Sequence, residues 1–242
     1  MKITKSTDFC YPEYMDVIYE GMYDDDKVCK KADKLWRCSL RTLGFYQKLV
    51  DDIVVEIIRG QRVCQLGVVF GNQIDRTAIA IGKTGSYDII DVNKNVIKRT
   101  NDKYSIRFNQ IKFIHNDAAR IKPSAIYDTV ICFLLLSEVP GKHKKDIINN
   151  ALKMVKPEGK VIFVDWHNPL KWNPLGWPIK MYNRLYKPFV EELWDYNISD
   201  FAASSKSLFS WDTKLYLKGL FQKTIATRLP EDEQKDFMQL YL

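Results

Sequence analysis

The chain has 242 residues, of which 46% are hydrophobic and 28% are charged, and its formal net charge is +7 with a pI near 9.0. This composition excludes a disordered chain, and the length suffices for one large domain with a full core or for two small ones. The positive charge favours an anionic partner, which is a nucleic acid, a phospholipid surface or a charged ligand.

Cysteine usage and apolar runs indicate a reducing, cytoplasmic setting. The five cysteines are scattered and form no C-x-x-C pair, so neither a zinc knuckle nor a redox motif is indicated. They are Cys10, Cys29, Cys38, Cys64 and Cys132. The opening stretch lacks the apolar core of a signal peptide, and no apolar run approaches the ~20 residues of a membrane span. We therefore predict a cytoplasmic protein, for which association with a membrane surface is still allowed.

The first quarter of the chain has helical periodicity. Between residues 12 and 59 the apolar side chains recur near helical spacing. These side chains are Leu35, Leu43, Tyr46, Leu49, Val50, Ile53, Val54 and Ile57. The pattern predicts a helical N-terminal extension or lid over residues 1–60.

Short apolar strands then alternate with helical stretches. The predicted strands cover residues 62–69, 86–92, 111–115, 128–136 and 160–165. A helix is predicted over 143–155, with an apolar face and a solvated face that carries Lys144, Lys145, Asn149 and Lys153. Near-continuous apolar strands separated by helices favour a mostly parallel sheet covered on both faces. We predict a single α/β domain over 61–242, with residues 166–200 as an aromatic insertion.

The stretch RVCQLGVVFGNQID, residues 62–75, begins like a nucleotide-binding loop but carries few glycines. A loop that holds a nucleotide between strand and helix normally has several, because the backbone must pass close to the ligand. Here Gly67 and Gly71 enclose Val68, Val69 and Phe70. The stretch alone leaves open a degenerate cofactor loop, a loop with a new use, or a plain core strand.

Acidic residues follow the second and third strands. Asp91 stands 20 residues after Gly71, and an acidic residue at that spacing typically binds ribose hydroxyls. Asp117 follows the third strand, where a polar group can meet an adenine amine. Ligands of open doubly wound sheets bind outside the carboxyl ends of the strands, where these aspartates and residues 133–138 are expected. Either aspartate alone is better explained as a solvated turn residue, but the ordered set favours a binding site.

Several motifs together resemble a known superfamily. YDTVICFLLLSEVP as a fourth strand and ALKMVKPEGKVIFVD leading into a fifth resemble the class I S-adenosylmethionine-dependent methyltransferases, which implies a Rossmann-like fold. VVFGN, VDWHNP, YKPFVEELWDYNI and LGFYQKL resemble four motifs of the rhodoquinone biosynthesis protein (RquA) family. This closer resemblance spans roughly residues 35 to 200. One position departs from the RquA motifs. Those proteins have His-Glu-x-Pro at the end of the fourth strand, whereas this chain has Ser137 in place of the histidine. Serine cannot replace that histidine as a base.

The resemblance implies an unusual reaction. Ubiquinone would become rhodoquinone by exchange of a ring methoxy group for an amine, with S-adenosylmethionine as amino donor and a divalent metal, Mn²⁺, assisting. The bulky middle of the first loop would then shift the methionine part of the cofactor, so that its amine rather than its methyl group meets the ring.

The predicted site residues fall into four groups. The catalytic candidates are His167 as base and Asp165 and Glu138 as orienting groups. The metal ligands remain open among these three and Asp117, because no spacing singles them out. The predicted cofactor contacts are Gln65, Leu66, Gly67, Gly71, Asn72, Asp91, Val92, Asp117, Ala118 and Phe133. The predicted substrate contacts are Tyr46, Trp166, Phe189 and Trp194. An equally good interpretation of His167 is a histidine without a catalytic role that caps the exit of the fifth strand.

Residues 166–189 combine tryptophan and tyrosine with basic residues and contain no acidic residue. Pro178 suits a helix start, and beyond it an apolar face lies opposite Lys180, Arg184 and Lys187. This pattern is typical of an interfacial helix on an anionic membrane, which would bring the protein to a ubiquinone-like lipophilic substrate on the inner face of a membrane. An aromatic lid over the active site is an equal and compatible interpretation.

Three functions therefore remain open. The first is the rhodoquinone-type amination, and the second is an ordinary methyltransferase that acts on a quinone or another small lipophilic acceptor. The third is a basic nucleic-acid-binding module or an RNA methyltransferase, which is disfavoured because no Lys/Arg stripe accompanies a known recognition motif. The sequence makes no prediction of the oligomeric state.

Overall fold

The structure is a computed structural model that describes residues 12–15, 26–187 and 189–230, without the side chains of residues 26 and 204. Two compact units divide the chain, residues 1–121 and residues 122–242. The predicted boundary between residues 60 and 61 was drawn on sequence pattern and stays a prediction.

From residue 26 onward, the first unit contains three short helices followed by alternating strands and helices. The helices are α1 (Asp26–Ala32), α2 (Leu35–Arg41), α3 (Tyr46–Val54), α4 (Gln73–Ile81) and α5 (Lys94–Tyr104). The strands are β1 (Arg62–Leu66), β2 (Ser86–Asp91) and β3 (Ile111–His115). The three strands pair in parallel, with Leu66 opposite Ile90 and Asp91 opposite His115. The carboxyl ends of these strands are therefore aligned.

The second unit continues the pattern and ends in an antiparallel hairpin. Its helices are α6 (Gly141–Met154), α7 (Gly176–Tyr186) and α8 (Glu192–Asp195), with 3₁₀ turns at Leu136–Glu138 and Ile198–Leu208. Its strands are β4 (Tyr127–Phe133), β5 (Val155–Trp166), β6 (Phe209–Tyr216) and β7 (Phe221–Arg228). β4 and β5 pair in parallel, whereas β7 runs antiparallel to both β5 and β6.

Within the described ranges, seven strands form one sheet in the order β3-β2-β1-β4-β5-β7-β6. The predicted fold class, a mostly parallel sheet flanked by helices with a helical extension before it and an insertion after the fifth strand, is confirmed. The strands fold this way because their apolar runs are buried on both faces, and residues 161–166 of β5 are all buried.

The β6–β7 hairpin is absent from the sequence prediction. Its strands read FSWDTKLY and FQKTIATR, in which lysine, threonine and aspartate interrupt the apolar residues. Such strands lack the continuous apolar run by which the five others were predicted. Pairing with β5 buries β7, including Gln222 and Lys223, which no local pattern indicates.

Three predicted element bounds are wrong by three residues or more. β1 ends at Leu66 rather than at residue 69, because Gly67 adopts a φ of 82° and turns the chain out of the strand. β4 ends at Phe133 rather than at residue 136, since Leu134 has a φ of 53°. β5 begins at Val155, five residues before the prediction.

One predicted side-chain environment is also wrong, and the N-terminal helices bury only part of their apolar residues. Leu35 and Leu43 are exposed, so the buried face of the N-terminal helices is carried by Tyr46, Leu49, Val50 and Ile53. Lys144, predicted on the solvated face of α6, is completely buried. Its ammonium group is bound by residues far along the chain, which the helical pattern of α6 does not reveal.

The described cysteines form no disulfide. Cys29, Cys38, Cys64 and Cys132 are buried thiols, whereas Cys10 lies outside the described residues, as do residues 16–25 of the predicted helical stretch. Among the helices described, none has the length and apolar character needed to traverse a bilayer.

Candidate functional site

The loop between β1 and α4 is shaped by its two glycines. Gly67 and Gly71 have φ values of 82° and 99°, in the left-handed region that favours glycine. A Cβ on Gly71 would overlap the hydroxyl group and ring of Tyr46. The backbone N–H of Gly71 donates a hydrogen bond of 2.9 Å to Asp33 Oδ1. Both the backbone angle and the Tyr46 ring therefore require glycine at position 71.

Tyr46 braces this loop from α3. Its hydroxyl donates to Phe70 O at 2.8 Å and accepts from the Gln73 N–H at 3.2 Å, so it joins the end of the loop to the first turn of α4. Burial raises the pKa of the Tyr46 phenol, which therefore stays protonated as a donor. Its predicted role as a substrate contact stays a prediction beside this structural one.

Asp91 closes the loop from the end of β2. Its carboxylate accepts from the Val68 N–H at 2.7 Å and from the Asn93 N–H at 2.8 Å. Burial raises the pKa of the Asp91 carboxyl, while these two N–H donors oppose the rise. An ionised carboxylate offers about four acceptor positions, so it keeps acceptor capacity for a further donor such as a ribose hydroxyl.

The remaining predicted cofactor residues of the first unit support these two loops. Gln65 is fully buried, donates to Gly67 O at 3.0 Å and accepts from the Tyr87 hydroxyl. Leu66 is fully buried in β1. The Asn72 side chain accepts from Gln47 Nε2 at 3.5 Å. The Val92 carbonyl oxygen lies 2.9 Å from His115 Nε2.

The loop after β3 contains the second predicted aspartate. Asp117 is buried, and its Oδ1 accepts from the Ala119 N–H at 2.8 Å. Its Oδ2 lies 3.6 Å from Arg120 Nε and accepts no hydrogen bond among the described residues. Ala118 beside it is buried. Asp117 Oδ2 is thus a buried acceptor, and its contact with an adenine amine stays a prediction.

A cavity of about 720 Å³ lies in the first unit beside the middle of the loop. Its walls are Val68, Val69 and Phe70 together with residues of α1, α5 and their vicinity, namely Cys29, Lys30, Asp33, Asn95, Lys98, Arg99, Thr100, Asp102, Lys103 and Tyr104. Four cationic side chains and two carboxylates surround it, so an anionic group is favoured inside.

Sequence reasoning missed this cavity. The basic residues of α5 recur at helical spacing and give a local signal, but Asp33 gives none, because it meets Gly71 from 38 residues away.

In the second unit, Asp165 organises the backbone that follows β4. The carboxylate is completely buried and accepts from the N–H groups of Leu136 at 2.8 Å, Ser137 at 3.3 Å and Trp166 at 2.8 Å. Burial raises the pKa of this carboxyl. Asp165 thereby holds residues 136–138 against the end of β5, and Ser137 is buried beneath it.

His167 and Glu138 have other partners. The Nδ1 atom of His167 lies 3.0 Å from Gly219 O, and its backbone N–H donates to Leu220 O. Since a carbonyl oxygen only accepts, Nδ1 carries the hydrogen, and Nε2 of the neutral ring keeps a lone pair. Glu138 forms an ion pair with Lys187. The structure shows no bond from Asp165 or Glu138 that orients the His167 ring.

The predicted metal site does not fit the residues present. Asp165 is occupied by three N–H groups and Glu138 by Lys187, and no group of three or more His, Cys, Asp and Glu side chains within the described ranges is arranged to hold a metal ion. We therefore derive no step through a metal.

The predicted aromatic contacts of the second unit have different environments. Trp166 is buried, with its ring 4.4 Å from that of Phe221. Phe133 is buried at the end of β4. Phe189 and Trp194 are half-buried; the Phe189 carbonyl accepts from Lys144, and Lys180 lies over the Trp194 ring. Their roles toward a cofactor or substrate stay predictions.

The fold and the loop geometry described above agree with a sequence match to a protein family. Residues 63–159, from β1 into β5, match the family described as "Methyltransferase domain" (Methyltransf_25). Together with the sheet order, this match shows that the chain has a Rossmann-like methyltransferase fold. The closer resemblance to the RquA family goes beyond this assignment.

Particular relatives are distant. The ubiquinone/menaquinone biosynthesis C-methyltransferase UbiE of Stutzerimonas stutzeri is 25% identical over 113 residues, which are 46% of this chain and 43% of that protein. The match thus spans less than half the length of this curated relative.

Among solved structures, phosphoethanolamine N-methyltransferase 2 of Haemonchus contortus, in complex with phosphomonomethylethanolamine and S-adenosylhomocysteine, has a TM-score of 0.62 at 12% identity and covers 92% of this chain and 60% of its own. An O-methyltransferase family protein of Burkholderia thailandensis has a TM-score of 0.60 at 14% identity, and the match covers 89% of this chain and 64% of that protein. At these identities the likeness shows the fold alone.

Proposed function

We propose that this protein is a transferase that uses S-adenosylmethionine to modify the ring of a quinone or a similar lipophilic acceptor. The single observation that carries the proposal is the Asp91 carboxylate, which is held by two backbone N–H groups and keeps free acceptor positions at the end of β2. The methyltransferase-domain match and the bound S-adenosylhomocysteine of the Haemonchus contortus protein support this cofactor. The match to UbiE supports a quinone acceptor.

The cofactor would be held mainly by the first unit. Asp91 would accept from the ribose hydroxyls, and Asp117 Oδ2 from the adenine amine. The cationic cavity beside Val68, Val69 and Phe70 suits the carboxylate of the methionine part. This assignment explains why the loop keeps Gly67 and Gly71 while its middle is bulky, since the middle forms a cavity wall.

Two transfers are compatible with this cofactor, and we propose amination as the particular reaction. A methyl transfer needs the sulfonium methyl group aimed at the acceptor, whereas an amination needs the α-amine there. The resemblance of VDWHNP and the neighbouring motifs to the rhodoquinone biosynthesis family supports amination, as does the unusual loop. Methyl transfer is the second candidate, favoured by the C-methyltransferase activity in the name of the curated relative.

The first bond-forming step of an amination needs a base. The amine nitrogen attacks the ring carbon that bears the methoxy group, the nitrogen loses a proton, and the carbon–oxygen bond breaks to release methanol, which leaves the nitrogen bonded to both the ring and the α-carbon of the cofactor. The α-carbon then loses its proton, two electrons pass to the quinone ring, and water cleaves the resulting carbon–nitrogen double bond. The products are an amino-substituted hydroquinone and the 2-keto acid of the cofactor. His167 Nε2 is the candidate acceptor of the proton that the amine nitrogen loses, because the Gly219 carbonyl fixes the ring hydrogen on Nδ1. Ser137, where the family has a histidine, does not supply this function.

A double-label experiment tests both levels of the proposal. The purified protein is incubated with a short-tailed ubiquinone and S-adenosylmethionine that carries one isotope in the amine and another in the methyl group. We expect the nitrogen label in an amino-substituted quinone; methyl label alone would establish the second candidate, and no label in any quinone would overturn the acceptor class. His167→Ala should lower the rate by about 10²–10⁴-fold, while the control His143→Ala should keep it.

A further inference from the structure

The segment between β5 and β6 turns its large apolar side chains outward. Trp172, Trp177, Leu185 and Tyr186 are 65%, 73%, 70% and 67% exposed, and Met181 and Tyr182 are about half exposed. In the 11 residues of α7, only Gly176 and Asn183 are buried. A surface helix ordinarily packs its apolar stripe on the core, so this outward arrangement indicates a binding surface. We call these six exposed residues the aromatic face.

The aromatic face is held in place by specific bonds. The Asn173 side chain donates to Leu217 O at 3.0 Å and to Lys218 O at 3.1 Å, in the turn between β6 and β7. Its Oδ1 accepts from the Leu175 N–H at 3.0 Å, immediately before α7. The Leu170 N–H also donates to Lys218 O at 3.0 Å. These bonds anchor the chain on both sides of Trp172, so the outward orientation is built into the fold.

Basic residues surround the aromatic face. Lys171, Lys180 and Arg184 belong to the same segment, and Lys218 lies over the Trp172 ring at 4.9 Å. Arg184 shares its charge with Glu191 in an exposed ion pair. No acidic residue occurs from Trp166 to Phe189. The surface therefore combines exposed aromatic groups with a net positive charge.

We infer that the aromatic face docks on an anionic phospholipid membrane, with α7 lying in the plane of the interface. Tryptophan and tyrosine prefer the headgroup region, and basic residues are attracted to anionic lipids. An 11-residue helix is about 16 Å long, half of the ~30 Å hydrocarbon core, so α7 lies along the surface rather than across it. A second copy of this chain is a poorer occupant, because an isologous contact would bring the same positive charges together.

This inference goes beyond the proposed transfer reaction and does not depend on it. The exposed residues and charges that carry it all belong to the second unit, and the experiment measures lipid binding rather than product. Docking would bring the protein to the compartment in which lipophilic acceptors with long tails dissolve.

Vesicle co-sedimentation tests the inference. The protein should sediment with vesicles that contain phosphatidylserine, much less with phosphatidylcholine alone, and less again as salt is raised. Lys171→Gln and Lys180→Gln should each weaken binding about five-fold, which corresponds to about 1 kcal/mol per charge. Trp172→Ala with Trp177→Ala should weaken it about ten-fold or more through lost apolar burial. Lys171, Trp172 and Trp177 are exposed and Lys180 is half-buried at the surface, so circular dichroism should show an unchanged fold.

Matched control variants distinguish binding through the aromatic face from nonspecific adsorption to vesicles. Trp36 is 58% exposed and Lys83 is exposed, and both lie in the first unit. Trp36→Ala and Lys83→Gln should leave vesicle binding unchanged. Absence of sedimentation with anionic vesicles would overturn the inference, as would equal losses in the controls. A wild-type dimer that Trp177→Ala dissociates, without any lipid binding, would assign the face to self-association instead.

Discussion

The Asp91 carboxylate accepts a hydrogen bond of 2.7 Å from the Val68 N–H and so ties the end of β2 to the loop after β1. The same carboxylate accepts from the Asn93 N–H, and the Asn93 side chain in turn caps α5 by accepting from the N–H groups of Asn95 and Val96. One acidic side chain therefore positions the loop and the start of the next helix. Any ligand that Asp91 binds meets a group already fixed in place.

Replacement of Asp91 should weaken binding of S-adenosylmethionine. Asp91→Ala removes a charged acceptor of ribose hydroxyls, so we expect an affinity loss of about 1.5–3 kcal/mol by calorimetry. Asp91→Asn keeps one acceptor oxygen and should lose less. Asp146, an exposed residue of α6, provides the control Asp146→Ala. An unchanged affinity in Asp91→Ala would remove the cofactor role of this strand end.

Two glycine substitutions distinguish backbone strain from steric overlap. Gly71→Ala combines a φ of 99° with overlap of the new Cβ and the Tyr46 ring, whereas Gly44→Ala has a φ of 85° and open space around it. Left-handed strain alone costs about 1–2 kcal/mol, so Gly44→Ala should lose that much free energy of unfolding in urea. Gly71→Ala should lose more and should also bind cofactor more weakly. Equal losses in the free energy of unfolding for the two variants would mean that the Tyr46 ring moves aside at no energetic cost.

Asp165 should make stability depend on pH in a defined direction. Burial raises its folded-state pKa above the ordinary 3.8, so its contribution to stability is fully present below 3.8 and is lost as pH rises through the folded pKa. The free energy of unfolding of the wild type, relative to Asp165→Asn, should therefore fall as pH rises above 3.8. Chemical denaturation across that range measures the difference. Asp146→Asn should follow the wild-type curve, and a difference that grows with pH would contradict the direction of the shift.

The buried Lys144 should be a strong anchor for the segment after β5. Its ammonium group donates to Phe189 O at 2.8 Å and to Glu192 Oε2 at 2.6 Å. Loss of one partner of a buried pair costs about 3–5 kcal/mol, but Glu192 is 44% exposed and rehydrates, so we expect about 2–3 kcal/mol for Lys144→Ala. The neighbouring exposed Lys145→Ala should change the free energy of unfolding by less than about 0.5 kcal/mol. Proteolysis within residues 167–208 should accelerate in Lys144→Ala alone.

Much of the fold follows from local pattern. The strand predicted over 111–115 has those bounds in the structure, and the predicted helix over 143–155 differs from α6 by two residues at its start and one at its end. These elements are predictable because their apolar residues are spaced for burial within a single strand or helix. β6 and β7 were not predictable, since β7 is buried by pairing with β5 and β6 is placed by pairing with β7.

The candidate site, like the fold, was predictable only where the sequence signal is local. The sequence indicated Asp91 and the two glycines, because spacing from a strand end is a local property. It did not indicate that Asp33 would bind Gly71 or that Tyr46 would brace Phe70, since those partners are 38 and 24 residues apart. It also placed Lys144 in solvent, although the residue is buried beneath Phe189 and Glu192.

The sequence by itself determined the alternation of strands and helices, the positions of the acidic strand ends and the aromatic–basic composition of residues 166–189. Only the tertiary structure decided which carboxylates are occupied by backbone N–H groups and which keep free acceptor positions. It also decided that the aromatic side chains of α7 point outward. Hydrogen-bond satisfaction and burial depend on partner residues that are distant along the chain. Because of this, those partners cannot be predicted from composition and spacing.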